Sequence, residues 1–184
     1  MSKIGRKPLV VANVQVTFKG QEIQYEGKNH SGVYSLPENL SARLEDDKLF
    51  IEPKAGEEVT SNVWGLHRAL IANAILGSAR DFERRLEING LGFKAQVTGN
   101  KVLFSLGYTH KINLDLPNEV KLTVDKTGQK LTFTSFDKEK LGQTCALIRS
   151  FRPPEPYKGT GIKFVEEIIK KKAGKAKAGA EGGA

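Results

Sequence analysis

The sequence has few of the residues that build metal sites, disulfides and membrane spans. Its 184 residues include one cysteine, three histidines and one tryptophan. No apolar run approaches the roughly 18 residues of a membrane-spanning helix. Cys145 has no intrachain partner, which is typical of a reducing compartment. The basic start lacks the apolar stretch of a secretory signal. These absences predict a cytoplasmic protein with no membrane span.

Catalytic patterns are equally sparse. His30, His67 and His110 are far apart, and no Cys/His spacing of a metal site occurs. The Gly-x-Gly fragments in "INGLGFKA" and "KGTGIK" lack the glycine spacing and helix start of a phosphate-binding loop. We therefore expect no enzyme activity, no catalytic residue, no metal, no cofactor and no small-molecule substrate.

Positive charge is concentrated at the two ends of the chain. The net charge is +8, yet residues 20–148 hold 16 basic and 17 acidic residues. Residues 1–19 carry four basic residues and no acid, and residues 149–184 carry nine basic and four acidic residues. A neutral body with cationic ends indicates a polyanionic partner, either a nucleic acid or an anionic surface.

The chain contains an internal repeat. The pattern Gly-x-x-x-Ala-Leu-Ile occurs at 65–71 and again at 142–148. Upstream of each copy lie a Gly-opened hairpin, a Gly-x-x-His motif and a second hairpin, with turns at Asp46-Asp47 and at Thr127-Gly128. Four elements in the same order predict a duplication.

Each half reads as a small α+β unit, an antiparallel or mixed sheet covered by one helix. In the first helix Ser61 or Asn62 is the expected cap, with Gly77 as its end. The residues expected to face the sheet are Trp64, Ala69, Leu70 and Ala74. In the second helix Asp137 is the expected cap. Its buried stripe is expected to be Leu141, Cys145 and Ile148.

These patterns predict two tandem domains and a basic C-terminal extension. The first domain is residues 1–81 with a basic N-terminal arm, and the second is residues 82–172. "KFVEEIIKKK" is expected to form a short helix or strand. Residues 173–184 are low in complexity and are expected to be disordered when unbound.

The segment "RPPEPYKGTGIKF", residues 152–164, is the most distinctive stretch. Its prolines exclude an ordinary helix or central strand and favour a rigid extended backbone. Lysines would project from that backbone, and glycine amides would let a phosphate approach. Tyr157 would stack on a base or sugar. This combination favours RNA over a membrane surface.

Several motifs together resemble the large-subunit ribosomal protein L-six family of bacterial or organellar type. They are "MSKIGRKP", "LHRALIAN", "NGLGFKAQ", "SLGYTH" and "IRSFRPPEPYKGTGIKF". The resemblance covers roughly residues 2–172. It implies two tandem copies of one α+β unit and a structural role in the large ribosomal subunit. It also implies binding to 23S-type rRNA near the stalk base and the docking region of translation GTPases, beside neighbouring large-subunit proteins.

The resemblance also implies which residues bind RNA, mainly in the second domain. The family usually has Lys or Arg where this chain has Thr160, so one charge of the motif is missing. The implied set is Tyr157, Lys158, Gly159, Gly161 and Lys163, then Arg152 and Arg149, then Lys94 and Tyr108, with Lys3, Arg6 and Lys7 as a separate N-terminal contact.

Two other functions are compatible with the residues alone. One is a non-ribosomal RNA-binding module, and the other binds a membrane surface or an acidic protein. Co-sedimentation with large subunits at high salt separates the first from a ribosomal protein. Binding to liposomes or to RNA in one buffer separates the second.

Overall fold

The computed structural model describes residues 2–11, 13–54 and 59–174. Over these residues the chain is α+β, with antiparallel sheets and two helices, as the sequence predicted. The elements in chain order are β1 (Leu9–Val10), β2 (Gln15–Lys19), β3 (Glu22–Glu26), β4 (Ser31–Ser35), β5 (Leu40–Glu45), β6 (Lys48–Pro53), α1 (Ser61–Ala79), β7 (Phe82–Asn89), β8 (Lys94–Thr98), β9 (Lys101–Ser105), β10 (Ile112–Asp115), β11 (Lys121–Val124), β12 (Lys130–Ser135), α2 (Lys138–Phe151) and β13 (Gly161–Phe164).

The sheets repeat one topology. Each half contains a three-stranded sheet, with order β2-β3-β4 in the first and β8-β9-β10 in the second. The second sheet of the first half has order β5-β6-β1. It matches the first three strands of the four-stranded sheet β11-β12-β7-β13. The first hairpin of each set turns at a glycine with φ of 62°, Gly20 or Gly99. Among the residues that the structure describes, strand β13 has no counterpart in the first set. The duplication inferred from sequence motifs is therefore also present in the strand order.

The chain divides into two compact units. One extends to Phe82 and includes Thr134–Lys140, and the other comprises Glu83–Phe133 and the chain from Leu141 onward. The domain limits predicted from the sequence, 1–81 and 82–172, remain a prediction, because these units are defined by spatial contacts and not by continuous stretches of chain. The tail beyond residue 174 lies outside the described residues, so its expected disorder also remains a prediction.

The first unit packs its sheets onto α1. The Trp64 indole buries against this core and its Nε1 donates to the Ile51 carbonyl at 2.8 Å. The helix also buries Ile71 and Ile75, whereas Leu70, expected to face the sheet, is exposed. Ala69 and Ala74 are half-buried. Because α1 is apolar around most of its circumference, spacing alone does not reveal its buried face.

The expected ends of α1 are also wrong. The capping position is Thr60, which makes no side-chain capping bond, rather than Ser61 or Asn62. Gly77 lies inside the helix, which continues to Ala79. A β-carbon at residue 77 would stand 2.0 Å from the Phe136 carbonyl oxygen. Glycine is therefore required here by a close backbone approach rather than by helix termination.

The second helix agrees with the sequence prediction. The Asp137 carboxylate accepts from the backbone amides of Glu139 at 2.9 Å and Lys140 at 3.2 Å, which makes it the cap. Leu141, Cys145 and Ile148 are all buried, the last two completely. Beyond α2, β13 pairs antiparallel with β7. "KFVEEIIKKK" is thus a strand only at Lys163 and Phe164; Val165 and Glu166 form a turn, and residues 167–172 have no regular secondary structure.

Candidate nucleic-acid interface

The segment 152–164, called here the proline segment, folds back on itself rather than running extended. The Glu155 amide donates to the Thr160 carbonyl at 2.9 Å, and the Gly159 amide donates to the Glu155 carbonyl at 3.0 Å. The Thr160 hydroxyl donates to the Glu155 carboxylate at 3.1 Å. The expectation of an extended backbone is therefore wrong for residues 155–160. Thr160, where the family usually has a cation, closes this turn.

The turn exposes two of the predicted RNA-binding residues. Tyr157 is 54% exposed and Lys158 is also exposed. Gly159 has φ of +74°, a left-handed conformation that favours glycine. Gly161, with φ of +135°, is buried, and a β-carbon there would lie 2.5 Å from the Pro153 carbonyl oxygen. Gly161 thus makes room for Pro153, and a contact between its amide and RNA remains a prediction.

Lys163 and Arg149 are engaged with carboxylates. Strand β13 places Lys163 opposite Glu87 of β7, and the Lys163 Nζ lies 3.2 Å from a Glu87 oxygen. The Arg149 guanidinium donates through Nε and Nη2 to both carboxylate oxygens of Glu167, with the Nε contact at 2.8 Å. These hydrogen bonds lower the pKa of Glu167 and raise that of Arg149. Their RNA contacts stay predictions, while their contacts within the chain are part of the structure.

Arg152 sits between two aromatic rings. Its guanidinium carbon is 4.8 Å from the Tyr108 ring centroid and 5.4 Å from that of Phe93. The Tyr108 hydroxyl donates to the Phe151 carbonyl at 3.0 Å. The structure therefore brings Arg152 and Tyr108 together, as two members of the predicted set. Phe93 was missed, although an aromatic between glycine and lysine in "NGLGFK" was a usable signal.

Lys94 is exposed at the start of β8, next to Phe93 in the chain. The adjacent loop turns through Gly90 and Gly92, and between them Leu91 is fully exposed. This loop, Arg152 and Tyr108 form one cationic and aromatic surface of the second unit.

The N-terminal arm belongs to the first unit, where Lys3, Arg6 and Lys7 are all exposed. Chain termini are often poorly anchored, but two residues of α1 hold this one. The Arg68 guanidinium donates to the carbonyls of Lys7 and Pro8, each at 3.2 Å. Gly5 packs so closely on the Trp64 ring that a β-carbon would lie 2.5 Å from it. The arm therefore has a defined path.

Lysines beyond β13 were missing from the predicted set. Lys158, Lys163 and Lys171 line one groove of the second unit, of about 490 Å³. The Lys172 amide donates to the Pro156 carbonyl at 2.9 Å. The three consecutive lysines at 170–172 were a visible signal, but their proximity to the proline segment was not.

The three histidines have structural surroundings. His30 stacks on Phe136, the His67 ring hydrogen-bonds Tyr34, and His110 stacks on Tyr108. In the described part of the chain, no three His, Cys, Asp or Glu residues are grouped to hold a metal ion. No helix in residues 2–11, 13–54 and 59–174 has the length and apolar character needed to cross a membrane.

Comparison with known proteins gives one consistent result. The family model described as Ribosomal protein L6 matches residues 89–165. The Large ribosomal subunit protein uL6 of Beijerinckia indica subsp. indica is 38% identical over 178 residues, covering 96% of this chain and 100% of the relative. The protein of the same name in Magnetococcus marinus is 39% identical over 178 residues, again covering 96% of this chain and 100% of the relative. The one in Trichormus variabilis is 38% identical over 176 residues, covering 95% of this chain and 96% of the relative.

Proposed function

Because this chain belongs to the ribosomal protein L6 family, we propose that it binds large-subunit rRNA through the surface built around its proline segment. The chain is a structural constituent of the large ribosomal subunit in the cytoplasm and is not an enzyme. The proposal concerns which surface of the protein binds rRNA and where in the large subunit that surface lies. By its resemblance to the family, that location is near the stalk base and the docking region of translation GTPases.

The observation that carries the proposal is the closed turn at 155–160. Three hydrogen bonds between Glu155 and residues 159 and 160 fix it. It presents Tyr157 and Lys158 to solvent from a backbone that is already ordered. A preordered cation loses little conformational entropy when it meets a phosphate, and an exposed ring is available for stacking on a base.

The surroundings of the turn extend the same surface. The Arg152 guanidinium carbon lies over the rings of Phe93 and Tyr108, and a guanidinium that contacts aromatic faces can still donate from its edges to phosphate oxygens. Lys94 and the lysines at 170–172 are exposed in the same unit. Lys3, Arg6 and Lys7 of the anchored arm form a separate, second contact in this proposal.

The direct test is binding of the full chain to an in-vitro-transcribed large-subunit rRNA at several salt concentrations. If roughly 4–6 phosphates are neutralised, the logarithm of affinity should fall with the logarithm of salt at a slope of about −3 to −5. An affinity independent of salt would contradict phosphate binding. Cross-linking of Lys158 to rRNA would then identify the contacted nucleotides and test the location near the stalk base.

A further inference from the structure

The chain after β13 returns to the proline segment and carries lysines with it. We call residues 165–172 the C-terminal strap. The Lys172 amide donates to the Pro156 carbonyl at 2.9 Å. The Lys171 side chain passes Gly159 so closely that a β-carbon there would lie 3.6 Å from the lysine Cε. The strap thereby returns its lysines, residues 170–172, to the turn that carries Lys158, and Lys171 lines the same groove as Lys158.

One acidic residue fixes the start of this return. The Glu167 amide donates to the Phe164 carbonyl at 3.0 Å, and the Glu167 carboxylate accepts from the Phe164 amide at 3.3 Å. The same carboxylate receives two hydrogen bonds from Arg149 of α2. Its side chain is only 25% exposed. Glu167 therefore ties the strap to both the end of β13 and the helix.

Its neighbour Glu166 has the same charge and a different environment. The Glu166 carboxylate lies 3.3 Å from the Arg84 guanidinium, and its side chain is 82% exposed. An exposed pair of this kind contributes little to structure. The two adjacent glutamates therefore form a matched pair, one that positions the strap and one on the surface.

We propose that Glu167 is a positioning residue for RNA binding, which holds the strap so that Lys170–Lys172 and Lys158 together face the phosphate backbone. This inference rests on the proposed function. It assigns Arg149 a role through Glu167, as the partner that fixes the carboxylate, instead of a direct contact with RNA.

The inference predicts that removing the Glu167 carboxylate lowers the affinity for RNA, whereas the change in net charge alone would raise it. Removing a carboxylate from a cationic surface raises the net charge, and long-range attraction to RNA should then increase. If Glu167 positions the strap, its removal instead releases the lysines and weakens binding. Glu166→Ala changes the charge equally at the next residue, so the comparison isolates position from charge.

The experiment measures affinity for the large-subunit rRNA transcript at several salt concentrations. It uses the full-length wild-type chain, Glu166→Ala, Glu167→Ala and Glu167→Gln, with thermal melts to confirm folding. Glu167→Ala should bind about tenfold more weakly, the loss of roughly one charged contact, with a shallower salt slope. Glu166→Ala should bind as tightly as the wild type or slightly more tightly. Glu167→Gln, which keeps the shape of the side chain, should lie between them.

A second set of variants separates positioning from a general loss of structure. Changing Lys170, Lys171 and Lys172 together to Ala should weaken binding in the wild-type background and weaken it by a smaller factor in Glu167→Ala. Such non-additivity is expected when one residue acts through the others. Equal losses in both backgrounds would overturn the inference, as would Glu167→Ala binding as tightly as Glu166→Ala.

Hydrogen exchange of the Lys172 amide tests the strap without RNA. Protection should be lost in Glu167→Ala and kept in Glu166→Ala. Equal protection in the two variants would refute the positioning role whatever the RNA result. If the wild-type chain binds no RNA, the proposed function fails, and so does the role of Glu167 in binding, even where exchange shows that Glu167 holds the strap.

Discussion

Arg152 lies over the ring of Tyr108, with its guanidinium carbon 4.8 Å from the ring centroid, while the Tyr108 hydroxyl donates to the adjacent Phe151 carbonyl. One tyrosine thus binds both the side chain of Arg152 and the backbone just before it. The ring and the hydroxyl can be removed separately, which makes their contributions measurable.

Tyr108→Ala should weaken rRNA binding several-fold, because Arg152 loses one of the two rings that hold it. A cation–π contact at an exposed site contributes about 0.5–1 kcal/mol. Tyr108→Phe keeps the ring and should bind nearly as the wild type does, with a slightly lower melting temperature. Filter binding at one salt concentration and thermal melts measure both effects. Equal binding losses in the two variants would mean that the hydroxyl, and not the ring, matters.

Lys158→Glu should weaken rRNA binding by about tenfold or more with little change in melting temperature. Lys158 is exposed on the turn, and a charged hydrogen bond to phosphate contributes on the order of 1.5–3 kcal/mol. Lys121→Glu, on exposed strand β11, is the control and should have a much smaller effect on binding. A gel-shift titration at fixed salt compares them. Similar losses in both variants would contradict a localised site.

Lys163→Glu should lower both affinity and stability. The new carboxylate would face Glu87, which now lies 3.2 Å from the Lys163 ammonium. Two facing carboxylates repel each other across the β7–β13 pair. Urea denaturation beside the binding assay checks this expectation. Full stability in the variant would show that the Lys163–Glu87 pair contributes nothing to the sheet edge.

Two helical glycines should respond to alanine in opposite directions. At Gly142 of α2 a β-carbon meets no atom within 4 Å, so Gly142→Ala should stabilise the protein by about 0.5–1 kcal/mol. At Gly77 a β-carbon would lie 2.0 Å from the Phe136 carbonyl oxygen, so Gly77→Ala should destabilise it by about 1–3 kcal/mol or more. Urea midpoints decide the signs. A gain in stability from Gly77→Ala would refute the close approach.

Cys145 should resist thiol reagents at pH 8 in the folded protein and react quickly in urea. The side chain is fully buried, and this burial raises the pKa of the thiol from 9.0 to about 11. At a pH between these two pKa values, the thiol ionises in the unfolded protein but not in the folded one. The free energy of unfolding therefore falls by about 1.4 kcal/mol for each unit of rising pH. Urea denaturation of the wild type and of Cys145→Ala across this pH range isolates the effect of the thiol. Rapid labelling without denaturant would contradict the burial.

The sequence was sufficient to predict those features of the structure that depend only on residues close together in the chain. The Asp46-Asp47 turn is present, with φ of 43° and 60°, because short polar residues tolerate that conformation. Asp137 caps α2 because its partners lie two and three residues away. By contrast, α1 has apolar residues on most sides, so spacing indicated Trp64 correctly but also the exposed Leu70, and it missed Ile71 and Ile75.

Contacts between distant residues were beyond these signals. The partner of Lys163 is on β7, and the partner of Arg149 is 18 residues further along the chain. Both cations looked available for RNA in the sequence, and their carboxylate partners appear only when strands and strap are assembled. The closed turn at 155–160 was missed for a related reason. Prolines favour an extended backbone locally, and the hydrogen bonds that override this preference join Glu155 to Gly159 and Thr160.

Strand β13 also protects the protein from self-association. It pairs with residues Leu86–Asn89 of β7, an eight-residue strand that would otherwise offer unpaired amides and carbonyls to another chain. The corresponding strand of the first unit, β1, has only two residues and offers little for such pairing. A chain that ended before Gly161 should therefore aggregate as well as lose part of the proposed RNA-binding surface. The same few residues should therefore keep the newly made protein soluble until it joins the large ribosomal subunit.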